Sequence, residues 1–418
     1  MAIPPSSPIG IQSNANANAE AGPSSGPKYL LSQTLSAHNR AVTALRFSND
    51  GQTLVSAGAD GWLHYWKPDT GDYIRGFQAH KTGINDISIS PDSLYISTAS
   101  DDSTSSIYYL HPPPAPLTSS SIPTSSSSPS SPSPNDEVRV APLRTLIGHT
   151  APVLSIAFSP KSNLLVTGSY DESAIIWDVK KGKILRNLPA HADAIWCVAW
   201  DNEGAMVLTA SSDGLIRLWD VNTGQCLKTL DNDTNSPVSH ASFTPSSYFL
   251  LSSTLSSTLR IYNIHTSKVL KTIQAPGVYV TEKFPCPALI FAPPDCSDNP
   301  SLSSPPSPDQ DQMEVDQVNS VNGVNGHIQG QGQSSVMTSD GQGQGQRRQA
   351  TTGRKDAWII AGSENGKIVI WDLQSKSVMQ VLEGHTSTVV ALAVHPSGRI
   401  VASGSLEPER SIKLWRVD

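Results

Sequence analysis

The chain has 418 residues, and 29 Lys plus Arg set against 36 Asp plus Glu leave a formal net charge of −7. That modest acidity lacks the basic footprint of a general nucleic-acid binder, and no run of about 18 apolar residues exists to cross a bilayer. The start, with Pro4-Pro5 and no basic-then-apolar order, is not a secretory signal, and Cys197, Cys226, Cys286 and Cys296 form no Cys-x-x-Cys pair, so they read as reduced intracellular thiols.

In chain order, residues 1–27 are rich in Ser, Pro, Asn and Ala and read as a disordered tail. Tracts 111–142, nearly all Ser and Pro, and 293–355, rich in Ser, Pro, Gly, Gln and Asn, read the same way. Such composition cannot bury enough apolar surface to offset its ordering entropy. Around these tracts one phrase recurs. Its fullest copy is Gly148-His149, Val153, Ile156, Phe158, Pro160, Thr167-Gly168-Ser169, Asp171 and Ile175-Ile176-Trp177-Asp178; the next copy ends at Trp219-Asp220, 42 residues later. Seven copies carry a third-strand aromatic, at Trp66, Tyr109, Trp177, Trp219, Tyr262, Trp371 and Trp415. Inner strands follow a template seen in Ile84-Ile87-Ile89, Val153-Ile156-Phe158, Ile195-Val198-Trp200 and Val389-Leu392-Val394.

A repeat of about 40–45 residues with Gly-His early and Trp-Asp late predicts an all-β, seven-bladed propeller over residues 28–418. The chain ends on a third strand, Ile412-Lys413-Leu414-Trp415, and the missing outer strand stands at Tyr29 to Leu35. Joining the two removes an exposed edge and closes the ring.

Three sets look like hydrolase triads: His38, Ser56, Asp60 and Trp66; His149, Thr167, Asp171 and Trp177; and His191, Thr209, Asp213 and Trp219. A catalytic triad is needed once, so recurrence at one phase of a repeat points to a structural network of indole, hydroxyl, imidazole and carboxylate. Gly341-Gln342-Gly343-Gln344-Gly345 follows no strand and opens no helix, which makes it low complexity and not a phosphate loop. Gln346-Arg347-Arg348 is too short for a nuclear signal, and the Ser-Pro pairs at Ser128, Ser131, Ser133, Ser304 and Ser307 are open to proline-directed phosphorylation. We expect no enzyme, no cofactor and no metal.

Non-consensus stretches narrow the reading. They are Gly168-Ser169-Tyr170-Asp171-Glu172-Ser173, Leu188-Pro189-Ala190-His191, Gly224-Gln225-Cys226-Leu227-Lys228-Thr229-Leu230, Pro237-Val238-Ser239 and Leu382-Glu383-Gly384-His385-Thr386. Through them the chain resembles the WD-repeat subunit of COMPASS-type histone methyltransferase complexes. The resemblance implies a nuclear, non-catalytic, monomeric propeller inside a hetero-complex. Its partners would be the other subunits of a histone H3 lysine-4 methyltransferase and the histone H3 tail, with no direct contact to nucleic acid or membrane. A scaffold of a splicing or transcription complex, or a ubiquitin-ligase substrate receptor, is the alternative.

The residue before the acid of each second-to-third-strand turn is expected on the top face: Ala59, Asp101, Tyr170, Ser212, Leu255, Glu364 and Leu406. Two acids and no base suit a cationic peptide and not a phosphopeptide, which needs an arginine cluster. The resemblance places an arginine-binding pocket there, with Ala59, Asn85, Asp101 and Ser239 at matching positions. Its two ring positions fall on Leu154 and Pro287, which offer no π face, while Phe284 and Tyr170 stay aromatic; arginine binding is therefore expected to be weak. On the opposite face the resemblance implies a partner groove at Phe249, Ile261 and Gln374. Tract 111–142 replaces a third-to-fourth-strand loop and 293–355 a first-to-second-strand loop, so both leave from that same face. The longer one, with Asp309, Asp311, Glu314, Val315 and Asp316, either covers the groove, extends its contact, or is inert.

Overall fold

Short runs of Val, Ile, Leu, Ser and Thr, bounded by Gly, Asp and Ser turns, form 28 β-strands and no helix among the described residues. The computed structural model describes residues 27–111, 140–232, 234–292 and 357–417. The tail and most of both tracts lie outside them, as does Cys296. Residues 140–142, grouped by composition with tract 111–142, are described, and Val140 packs on the core between blades one and two.

The strands make seven four-stranded antiparallel sheets, each running from an inner to an outer strand, so the chain is a seven-bladed β-propeller. The inner strands are Val42–Phe47, Ile84–Ile89, Val153–Phe158, Ile195–Trp200, Val238–Phe243, Ala288–Phe291 and Val389–Val394. In the last sheet Tyr29–Leu35 pairs antiparallel with Ile412–Val417, closing the ring with both ends of the chain. The core lies between neighbouring blades. Ala44, Val55 and Tyr65 of blade one, for example, pack with Ile84, Ile87, Ile96 and Tyr108 of blade two. Strands packed on both faces carry apolar residues on both, which explains their unbroken hydrophobic runs.

Outer strands also tie each blade to the next. Arg144 donates to Lys180 O at 3.3 Å, Arg186 to Asn222 O at 2.6 Å, and Lys228 to Ile264 O at 2.7 Å. Lys271 reaches Leu373 O at 2.7 Å, and Arg416 reaches Pro68 O at 2.8 Å across the closure. At Gly61, φ is +79° and a Cβ would lie 2.3 Å from His80 O, so the turn against the next loop admits only glycine.

Register corrects one assignment. Ile96 opposes Tyr108 as Leu165 opposes Trp177, so Tyr108 and not Tyr109 stands at the tryptophan position of blade two. Tyr108 is buried and its hydroxyl donates to Ala79 O at 2.8 Å, whereas Tyr109 is exposed. Adjacent strand residues face opposite sides, and composition does not say which of two tyrosines turns inward. Tyr262 of blade five makes the matching bond to Asp231 O at 3.2 Å.

Candidate functional site

The recurring polar sets are inward ties within single blades, found in five of the seven among the described residues. In blade three Trp177 Nε1–H donates to Thr167 Oγ1 at 2.9 Å, and that hydroxyl lies 2.8 Å from His149 Nε2. His149 Nδ1 lies 2.9 Å from Asp171 Oδ2. The same chain links Trp219, Thr209, His191 and Asp213 in blade four and Trp66, Ser56, His38 and Asp60 in blade one. Two further sets escaped the sequence reading: His80, Thr98 and Asp102 in blade two, and Trp415, Ser403, His385 and Glu409 in blade seven. The blade-seven acid sits two residues beyond its usual place, because Glu407-Pro408 lengthens the turn.

Ser56, Thr167 and Thr209 are fully buried and each accepts an indole N–H, so no hydroxyl of these sets faces a substrate. Burial lowers the His149 pKa and, taken alone, raises that of Asp171. Hydrogen bonds from Ser173, the Thr150 N–H and His149 outweigh that burial and hold the Asp171 carboxyl below its ordinary range.

The open site is on the axis. Six inner strands carry a register shift at their second residue: Thr43, Asn85, Leu154, Trp196, Ser239 and Val390. A bulge turns one extra side chain out of the ladder, and all six line one axial cavity of about 670 Å³. Phe284, Pro285, Pro287 and Leu406 join them. Deeper down, Arg46 Nη2 donates to Asp86 Oδ1 at 2.8 Å, while Asp86 Oδ2 accepts from Ser155 Oγ and Ile156 N at 3.1 Å each. His240 lines the same cavity, and burial first, then Arg46, holds its pKa at about 4.

Of the expected top-face residues, Asn85, Leu154, Ser239 and Phe284 line the cavity, whereas Ala59, Asp101 and Tyr170 stand on the rim outside it. All seven rim residues share one tie: their N–H donates at 2.8–3.0 Å to a carbonyl leading into the inner strand, from Ala59 on Ala41 O to Leu406 on Thr388 O. The rim acids are less available than a residue count implies. Glu364 Oε1 accepts the N–H groups of Glu282, Lys283 and Phe284 at 2.5, 2.5 and 2.9 Å, which pins the loop that carries Phe284. Asp101 Oδ1 accepts Asn85 Nδ2 at 2.8 Å. Trp196 is the residue that sequence reasoning missed. Its signal was its place, directly after the first apolar residue of the inner-strand template, where Asn85, Leu154 and Ser239 also stand.

The family model described as WD domain, G-beta repeat matches residues 30–67, 71–108, 140–178, 182–220, 224–263 and 376–416. The chain belongs to the WD40 repeat family. The first three strands of blade six fall between the matched segments, where the tract after Phe291 separates its inner strand from Trp358. WD repeat-containing protein 1 of Bos taurus is 41% identical over 86 residues, 20% of this chain and 14% of that protein. COMPASS component SWD3 of Saccharomyces cerevisiae is 34% identical over 107 residues, 26% of this chain and 25% of that protein. Protein HIR1 of Gibberella zeae is 27% identical over 147 residues, 32% and 13% of the two chains. The chain thus spans 25% or less of the length of each of these relatives.

WD40 propellers are scaffold-type folds, generally without catalysis. The other expected site is the set Phe249, Ile261 and Gln374. There Gln374 is exposed and Phe249 half-buried, but Ile261 is only 5% exposed. Ile261 packs inward with Leu251, Ile273 and Trp371, so it supports the seam between blades five and six and is no contact surface. Tyr248, 73% exposed beside Phe249, offers the apolar area that Ile261 does not.

Proposed function

We propose that this WD40 propeller is a non-catalytic scaffold of a nuclear, COMPASS-type histone H3 lysine-4 methyltransferase complex. Its axial mouth receives an extended segment of another subunit or of the histone H3 tail. One observation carries the reading: a cavity of about 670 Å³ opens between apolar and aromatic side chains, Leu154, Trp196, Phe284 and Pro287 among them. A concave, mostly apolar site with a few polar groups suits an anchoring side chain of a peptide. The local identity to COMPASS component SWD3 supports the choice of complex. Leu154 and Pro287 cannot sandwich a guanidinium, so the anchor is an apolar or aromatic side chain packed on Trp196 and Phe284.

Affinity purification of the full chain followed by mass spectrometry tests the complex. Methyltransferase subunits are expected, and a preparation without them overturns the assignment. Titration of a histone H3 N-terminal peptide and of a methyltransferase arginine-motif peptide tests the anchor. Arginine-motif binding tighter than about 1 μM, near −8.2 kcal/mol, would mean that the arginine mode survives. Trp196→Ala is expected to weaken the captured partner segment at least about tenfold, the loss of one well-packed aromatic anchor. The stretch shared with WD repeat-containing protein 1 favours a second reading, a scaffold in another assembly, and the same purification separates the two.

A further inference from the structure

Blade one departs from the other six at three positions that converge on one place. On the third strand, His64 opposes Ser56, and the residues in that register elsewhere are Ser106, Ile175, Arg217, Arg260, Val369 and Lys413. Two residues after Ser56 stands Gly58, where the other blades carry Ser100, Ser169, Ser211, Thr254, Ser363 and Ser405. On the outer strand Gly76 opposes His64, where Thr145, Asn187 and Thr229 hold the same place. A Cβ at Gly58 would lie 2.4 Å from His38 Nδ1 and 2.7 Å from Asp60 Oδ1, and one at Gly76 would lie 2.4 Å from His64 Nδ1. Gly58 leaves room for His38 and Asp60, and Gly76 for His64 and Tyr73.

The His–Asp contact differs as well. In blades two, three and four the imidazole meets one carboxylate oxygen at 2.8–2.9 Å. In blade one His38 Nδ1 stands 3.1 Å from both oxygens of Asp60, so the carboxylate straddles it. One ligating atom each from His38, Asp60 and His64 lies within 4.8 Å of the others. His38 and His64 meet edge to face with ring centroids 4.5 Å apart.

We propose that His38, Asp60 and His64 bind a divalent transition-metal ion of the zinc class. Two imidazoles and a carboxylate are a ligand set of suitable softness, and bonds of about 2.0–2.2 Å would draw the three side chains together around the ion. His38 is already held from behind: its Nε2 lies 2.9 Å from Ser56 Oγ. On metal binding through Nδ1 the ring proton resides on Nε2 and is donated to that hydroxyl, which is how protein groups orient a ligating histidine. No net proton is released, because the imidazole only changes tautomer. The Tyr73 hydroxyl, 3.2 Å from His64 Nδ1, is the polar neighbour that holds the second ring. The ion would tie the loop before the first inner strand to the third strand of blade one, beside the blade that closes the ring.

The test uses tag-free full-length protein stripped with a chelator and titrated with zinc or cobalt(II). Saturable binding of one equivalent is expected, with a visible d–d spectrum for cobalt and a higher Tm for the zinc form. His64→Gln is expected to remove both while leaving the circular dichroism spectrum unchanged, since other blades tolerate Ser, Ile or Arg in that register. His149→Gln, which breaks the blade-three pair that has no third ligand, is expected to keep the one equivalent. Absence of saturable binding in the wild-type protein, or binding that survives His64→Gln, overturns the proposal without reliance on either variant's stability.

Discussion

Ring closure rests on Tyr29, and its removal gives a sharp measure of how the propeller holds together. The side chain is 1% exposed and packs with Trp358, Leu382 and Trp415, its ring 6.4 Å from that of Phe291 and edge-on to it. Its hydroxyl donates to Gly398 O, its N–H donates to Gln380 Oε1 at 2.9 Å, and its carbonyl accepts Gln380 Nε2 at 2.7 Å. Replacing a buried aromatic by alanine costs about 3–5 kcal/mol, a large part of the about 5–15 kcal/mol that a folded domain holds in total. Tyr29→Phe keeps the packing and loses one hydrogen bond, a change of about 1 kcal/mol. Urea denaturation followed by tryptophan fluorescence should therefore rank wild type, Tyr29→Phe and Tyr29→Ala in that order, with the larger gap between the last two. Deletion of residues 28–36 should cost more than Tyr29→Ala, because it also removes buried Leu35 and bares the edge of the 412–417 strand. An unchanged Tm in the deletion, or Tyr29→Ala within about 0.5 kcal/mol of wild type, would refute the closure argument.

Two more outcomes follow from buried polar groups. Burial, reinforced by Lys413, holds the His385 pKa at about 4 against the opposing pull of Glu409, and burial with Arg46 does the same to His240. Both folded values lie below the unfolded value of about 6.5, so stability is fullest above about pH 6.5 and falls as pH drops toward 4; His385 alone accounts for about 3 kcal/mol, and equal stability at pH 7 and pH 5 would contradict this. In blade six Trp371 Nε1 is buried without an acceptor, because Ala361 stands where Thr167 or Ser403 supplies a hydroxyl. Ala361→Ser should raise stability by about 1 kcal/mol in the same denaturation assay; no gain would mean that the ring of Tyr279, 5.3 Å away and perpendicular, already receives the N–H.

The fold was legible because a repeat states each structural decision several times. One ambiguous strand is corrected by its copies, and even blade six, split between Phe291 and Trp358, was recognisable from its flanks. What failed was local phase. Tyr108 and Tyr109 are both aromatic, and only register separates them. Two extra residues in one turn move Glu409 away from the repeat position of the acid. In sequence an apolar strand residue such as Ile261 looks the same whether it faces a partner or a neighbouring blade.

The axial site was legible only in part, for a reason that lies in the backbone. A template that counts apolar residues records those that pack between blades, and Val198 and Trp200 satisfied it in blade four. The residue that the bulge takes out of register is turned to the axis, where the ladder makes no use of it. Trp196 is therefore invisible to a search for strand pattern and obvious once the bulge is known. The consequence is general to this ring: Thr43, Asn85, Leu154, Trp196, Ser239 and Val390 touch the cavity yet lie outside the ladders that hold the blades. Substitution at Leu154 or Trp196 strikes a partly exposed side chain at the cavity, whereas a change one residue away, at Val153 or Ile195, strikes a fully buried core position. In these six inner strands the cavity-facing residue and the core residue are thus neighbours in the sequence.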